Sequence, residues 1–109
     1  MHELAIVESM VEAAVAHAEG RRVTRLVVEI GRLSTVLPDA VRFCFDLATE
    51  GTSVEGAALD IVEIDGLATC RACGGDVVLA RPLGRCACGG IELEWKRGMG
   101  VKIVRMEVA

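Results

Sequence analysis

Cys70-Arg71-Ala72-Cys73-Gly74-Gly75 and, further along, Cys86-Ala87-Cys88-Gly89-Gly90 decide how this chain is put together. A tetrahedral zinc ion takes four thiolates at about 2.3 Å, and two cysteine knuckles joined by a short hairpin can gather four sulfurs without a preformed core. The first pair has Cys-x-x-Cys spacing, with Gly74 where the chain must turn sharply. The second pair is one residue shorter. Residues i and i+2 of an extended strand lie about 6 to 7 Å apart, so Ala87 is expected in a tight bend. Four thiolates around Zn²⁺ leave a local charge of about −2, which Arg71, Arg81 and Arg85 are near enough in sequence to soften. A closed, structural zinc site at Cys70, Cys73, Cys86 and Cys88 follows. A redox dithiol and unligated thiols are the alternatives; a thioredoxin-like dithiol would enter a helix, and nothing helical follows Cys73.

The texture around the knuckles differs from the rest of the chain. Residues 67–95 hold four of the five cysteines and both paired-glycine steps, with too few apolar residues to form a core unaided. They read as a zinc-binding domain inserted in a larger discontinuous one, residues 1–66 completed by 96–109. In the larger domain, Leu4, Val7, Met10, Val11, Ala14, Val15 and Ala18 recur at helical spacing, and Gly20 suits the left-handed position that ends a helix. Val23–Ile30 reads as a strand with Leu26, Val28 and Ile30 on one face. Pro38 and Asp39 suit the first turn of a second helix whose stripe is Val41, Cys44, Phe45 and Ala48. Strands are expected over 57–64 and 101–108. The fold class is α+β: a small three-stranded sheet with two helices, plus a zinc-ribbon-like insertion. Cys44 reads as a buried small hydrophobe, and His17 as a solvated residue of the last helical turn.

Composition narrows the function. The chain has 109 residues, 52% hydrophobic and 26% charged, which suits one folded unit. Twelve Lys and Arg against sixteen Asp and Glu give a net charge of −4, opposite to a nucleic-acid footprint. Aromatic residues are 3%, so stacking platforms for single strands are scarce. No stretch approaches the roughly 18 apolar residues of a membrane span, and the start lacks a secretory pattern. A cytosolic address is expected, where thiols stay reduced and metal ligation outranks disulfides. Glu8 and Glu12 read as a solvated face open to a partner's basic patch, and Asp60, Glu63 and Asp65 are assigned no chemistry. Nothing suggests a catalyst.

Most residues as near a terminus as His2 are simply solvated, yet a histidine there offers imidazole, its own amide and the α-amino group, and the next amide adds a fourth nitrogen. Such tetragonal donor sets suit Ni²⁺ or Cu²⁺. Met1-His2-Glu3 opening a helix, Ile30-Gly31-Arg32-Leu33-Ser34, Pro38-Asp39-Ala40 into Phe43-Cys44-Phe45-Asp46-Leu47, Glu50-Gly51-Thr52 with Glu55-Gly56-Ala57, and then the knuckles, closely resemble the HypA/HybF family of hydrogenase-maturation nickel chaperones over essentially the whole chain. The resemblance implies a nickel carrier, not an enzyme. It places Ni²⁺, transiently held, at His2 with Glu3 and Met1 completing or supporting the site, and a structural or regulatory Zn²⁺ at the cysteines. Its implied partners are the GTPase HypB and the large-subunit precursor of [NiFe]-hydrogenase, with urease served by some members; a homodimer is compatible with the pattern. Two departures stand out: the family's second knuckle is usually Cys-x-x-Cys, with Arg85 here where its first cysteine would fall, and Gly98-Met99-Gly100-Val101 lacks the acid of the family's Gly-x-Glu-Leu tract. The competing reading is a zinc-ribbon protein-interaction module without nickel-carrier activity.

Overall fold

The computed structural model describes residues 3–109. Met1 and His2, both expected nickel ligands, lie outside the described residues. The chain divides into two compact units, one comprising residues 1–29, 36–62 and 101–109, the other 30–35 and 63–100.

In the first unit, helix α1 (Glu3–Ala18) buries Val7, Met10, Val11, Ala14 and Ala18, the stripe its helical periodicity requires. Glu19 and Gly20 both take positive φ, 51° and 84°, to end it. Strand β1 (Val23–Gly31) follows, with Val23, Leu26, Val28 and Ile30 buried. Helix α2 (Pro38–Ala48) starts with proline at its first turn and Asp39 at its positive end, and buries Val41 and Phe45 against the core. Helices α1 and α2 pack on each other. Strands β2 (Ala58–Ile64) and β6 (Val101–Val108) flank β1, giving the order β2-β1-β6. Amides at the two ends of β1 show the directions. Val23 N donates to Ser53 O and Arg32 N to Ile64 O, so β2 runs parallel; Ala109 N donates to Arg22 O and Gly31 N to Gly100 O, so β6 runs antiparallel. The sheet is therefore mixed, and α2 makes the crossover between its two parallel strands.

The second unit holds a separate antiparallel sheet in the order β4-β3-β5, built from β3 (Gly66–Cys70), β4 (Asp76–Leu79) and β5 (Leu93–Arg97). A bulge lies at the β3·β5 register between Leu67 and Ala68, where Leu67 pairs with Arg97 and Ala68 with Trp95. Its apolar core is small: Leu33, Ala68 and Leu79, with Val77 and Leu93 packed on them. Three backbones meet nearby without side chains between them. A Cβ on Gly31 would stand 2.0 Å from Gly98 O, and one on Gly98 2.5 Å from Gly66 Cα. Gly98 also has φ 96°, so glycine is required there on both counts.

Candidate metal centre

Strand β3 delivers Cys70 at its last residue, and a turn carries the chain past Cys73 into β4. Gly74, with φ 74°, makes that turn, and its amide donates back to Cys70 O at 2.8 Å. Cys70 N donates to Gly75 O at 2.8 Å and closes the loop, while Gly75 N donates to Cys73 Sγ at 3.4 Å. No helix follows, so the dithiol lacks the setting of a thioredoxin-like motif.

The second knuckle repeats this frame with one residue fewer. Gly89, with φ 94°, donates its amide to Cys86 O at 2.9 Å; Cys86 N donates to Gly90 O at 2.9 Å; Gly90 N donates to Cys88 Sγ at 3.4 Å. The three bonds are those of the first knuckle, each spanning an equal or shorter stretch. Ala87 lies within the resulting turn, as the two-residue spacing of the sulfurs demands.

The knuckles bring the four sulfurs within 4.8 Å of one another. Cys70 Sγ lies 3.7 Å from Cys88 Sγ, and Cys73 Sγ 3.6 Å from Cys86 Sγ. Sulfurs at the corners of a tetrahedron of 2.3 Å Zn–S bonds are about 3.8 Å apart, whereas a disulfide holds them at about 2.05 Å. All four are free thiols, and their separations fit one tetrahedral ion and no S–S bond. Cys70 and Cys86 are buried, Cys73 and Cys88 exposed.

Electrostatics within the cluster are uneven. Amides of Cys73 and then Ala72 point at Cys70 and hold its thiol down at about 7. Cys88 receives the Gly90 amide, which pulls it down, but the sulfurs of Cys70, Cys73 and Cys86 outweigh that and push it up to about 11. One thiolate is favoured and further ones repel it, the state that a divalent cation relieves. Hydrogen bonds to sulfur come from backbone amides, a contribution that the nearby arginines suggested in the sequence do not reveal. The sequence marks Gly90 as half of a diglycine step, but not that it lies against the thiols. A Cβ there would stand 2.8 Å from Cys70 Sγ, 3.2 Å from Ala72 Cβ and 3.4 Å from Cys88 Sγ.

Of the expected amino-terminal site, Glu3 is the described member. It is buried at the start of α1, and its Oε2 accepts the Leu37 amide at 3.3 Å. Cys44 is half-buried on α2. His17 is exposed in the last turn of α1, its Nδ1 2.8 Å from Ala13 O. Among the described residues no helix is long and apolar enough to cross a membrane.

A family model described as "Hydrogenase/urease nickel incorporation, metallochaperone, hypA" matches residues 1–108. The chain belongs to the HypA family. The hydrogenase maturation factor HypA of Nostoc punctiforme is 47% identical over 108 residues, covering 99% of this chain and 96% of that protein. That of Geotalea uraniireducens is 40% identical over 109 residues, covering 99% of each. The solution structure of the Ni metallochaperone HypA from Helicobacter pylori superposes with a TM-score of 0.73 at 24% identity, over 99% of this chain and 97% of that one, and so shares the fold. HypA proteins are metallochaperones and not enzymes, and they act in hydrogenase and urease maturation. The four-cysteine cluster is consistent with a zinc site in such a protein.

Proposed function

We propose that this chain carries Ni²⁺ at its amino end and hands it to the large-subunit precursor of [NiFe]-hydrogenase in the cytoplasm, acting with a HypB-type GTPase. The reading rests on membership of the HypA family along essentially the full chain. The imidazole and amide of His2, with the α-amino group of Met1 and the amide of Glu3, make a tetragonal nitrogen set suited to Ni²⁺, and the Glu3 side chain supports them. Its hydrogen bond from Leu37 N ties the start of α1 to the segment entering α2. Release is built into the ligand choice. Imidazole, amine and amides must all lose protons to bind, so affinity falls as the solution is acidified through about 6.5.

The unit of residues 1–29, 36–62 and 101–109 would be the nickel-carrying portion and that of 30–35 and 63–100 the zinc-carrying one, with boundaries wider than the 67–95 insertion expected from composition. Cys70, Cys73, Cys86 and Cys88 hold Zn²⁺ in a closed site with no position for water, so the ion supplies cohesion and not chemistry. The separations of the sulfurs and the small core beside them support that role.

Calorimetric titration of Ni²⁺ into untagged protein and into His2→Ala near neutral pH tests the carrier. Affinity should fall sharply in the variant, and also when a residue is added ahead of Met1. Indistinguishable affinities would reject the site. Metal analysis of the same preparations beside Cys86→Ser tests the zinc assignment: one zinc per chain, lost in the variant, is expected.

A further inference from the structure

Strand β6 is an edge of the β2-β1-β6 sheet, so among the described residues one row of its backbone groups lacks a ladder partner. Helix α1 lies beside it, and between them runs a groove of about 660 Å³. The helix contributes Ile6, Ser9, Met10, Ala13, Ala14 and His17; the strand contributes every residue from Val101 to Met106. Alternate strand residues line a wall that is a sheet face, whereas consecutive residues line a wall that is a strand edge. The open backbone of β6 therefore faces the groove. Ser9 and Ala13 are exposed one turn apart on the opposite wall, and their short side chains leave room for another main chain.

The charge of the lining differs from that of the protein. Its ionisable residues are His17, Lys102 and Arg105, with no carboxylate among them, in a chain of net charge −4. Lys102 is 73% exposed, and its ion pair with Glu29 is stretched to 3.9 Å. Arg105 is 66% exposed and is shared with Glu107 on the same strand. We propose that this groove receives an extended, acidic segment of another protein, which adds to β6 as a fourth strand and sets carboxylates against Lys102 and Arg105. Main-chain hydrogen bonds supply the affinity in such strand addition, and the flanking charges select the segment. A second copy of this chain is the poorer occupant. Pairing through its own β6 would bring two lysines and two arginines to one short seam with only the two copies of Glu107 to offset them, and an excess of like charge across strands destabilises the pair.

A synthetic peptide of alternating valine and glutamate, with a lysine-for-glutamate peptide as control, tests the proposal on the full, metal-loaded protein. NMR titration should show the acidic peptide binding and slowing amide exchange between Val101 and Met106. The Lys102→Glu, Arg105→Glu double variant should weaken it about tenfold, and Ser9→Trp, which fills the groove from the helix side, should weaken it with α1 intact by circular dichroism. Equal binding of both peptides, no binding, or affinity unmoved by either variant would overturn the proposal. So would self-association that protects β6 without peptide, since the occupant would then be a second copy. Nickel and zinc contents of the same samples keep this outcome separate from the fate of the carrier reading.

Discussion

Gly90 has no side chain, and its place is set by the candidate metal centre around it. Its amide supports Cys88 Sγ, and the space its Cβ would fill belongs to Cys70 Sγ, 2.8 Å away. Gly90→Ala should therefore spread the two knuckles and lower metal affinity by about 10- to 100-fold, the range found when ligand-supporting groups are lost. Gly75→Ala places its Cβ 3.3 Å from Cys73 Sγ alone and should cost less. Competition of each Co²⁺-loaded protein against a chromophoric chelator, followed by the thiolate-to-metal absorption, measures both. The sulfurs themselves should titrate over a wide span in metal-free protein. Cys70 is held at about 7, below its ordinary value of 9.0, so the stability it lends is present above 9.0 and lost as the pH falls through about 7. Cys88 is raised to about 11, so its contribution is present below 9.0 and lost as the pH rises through about 11. Thiolate absorbance near 240 nm should accordingly begin to rise near pH 7 and finish only near pH 11. A single step near 9.0, where both thiols would ordinarily titrate, would show that the cluster does not form without metal. The cysteines were legible in the sequence because their type and spacing carry the chemistry. Gly75 and Gly90 were visible as parts of the paired-glycine steps, but their approach to the sulfurs was not, because a missing side chain acts only through what it makes room for.

At the scale of elements, α2 separates two aromatic rings that the sequence places two residues apart. Phe45 is 3% exposed and Phe43 67% exposed. Phe45→Ala should destabilise the protein by about 3 to 5 kcal/mol, whereas Phe43→Ala should fall within about 0.5 kcal/mol of the parent. Urea denaturation followed by circular dichroism distinguishes them, and equal losses would mean that Phe43 is covered in solution. Helices α1 and α2 and strand β1 were readable because their apolar periodicity is long and bounded by proline or glycine. The strands β3, β4 and β5 were not read as such. They are 5, 4 and 5 residues long; four of the five residues of β5 are exposed, and the alternation of β3 rests on Gly66, Ala68 and Cys70, residues too small or too polar to stand out in a short run. Their side chains Ala68, Val77, Leu79 and Leu93 gather on Leu33 from a distant part of the chain, a core that no local pattern announces.

At the scale of the whole molecule, the two units differ in what holds them. The first buries large side chains including Val7, Leu26, Val28, Val41 and Phe45, which can sustain a fold without help. The second has Leu33, Ala68 and Leu79 at its centre, and its cohesion should come from the metal at the four sulfurs. Stripping zinc with a chelator under mild denaturing conditions should therefore erase amide protection in β3, β4 and β5 while α1 and α2 keep theirs. Hydrogen exchange read by mass spectrometry reports the two separately, and uniform loss or uniform retention would contradict this division of labour. The cysteine-rich stretch announced itself by composition. The inclusion of residues 30–35 with it did not, because the apolar pattern of β1 runs unbroken through Ile30 and gives no hint that the chain there is about to serve another core.

Comparison of the two cysteine turns bears on how such clasps are recognised in other sequences. Both close through the same amide and carbonyl partners although one holds a residue fewer between its thiols. The paired glycines that follow, and not the number of residues separating the sulfurs, are what the two share. A pattern search that demands fixed thiol intervals would pass over half of this clasp, whereas one anchored on the diglycine step would recover both halves and would tolerate single-residue deletions as silent drift.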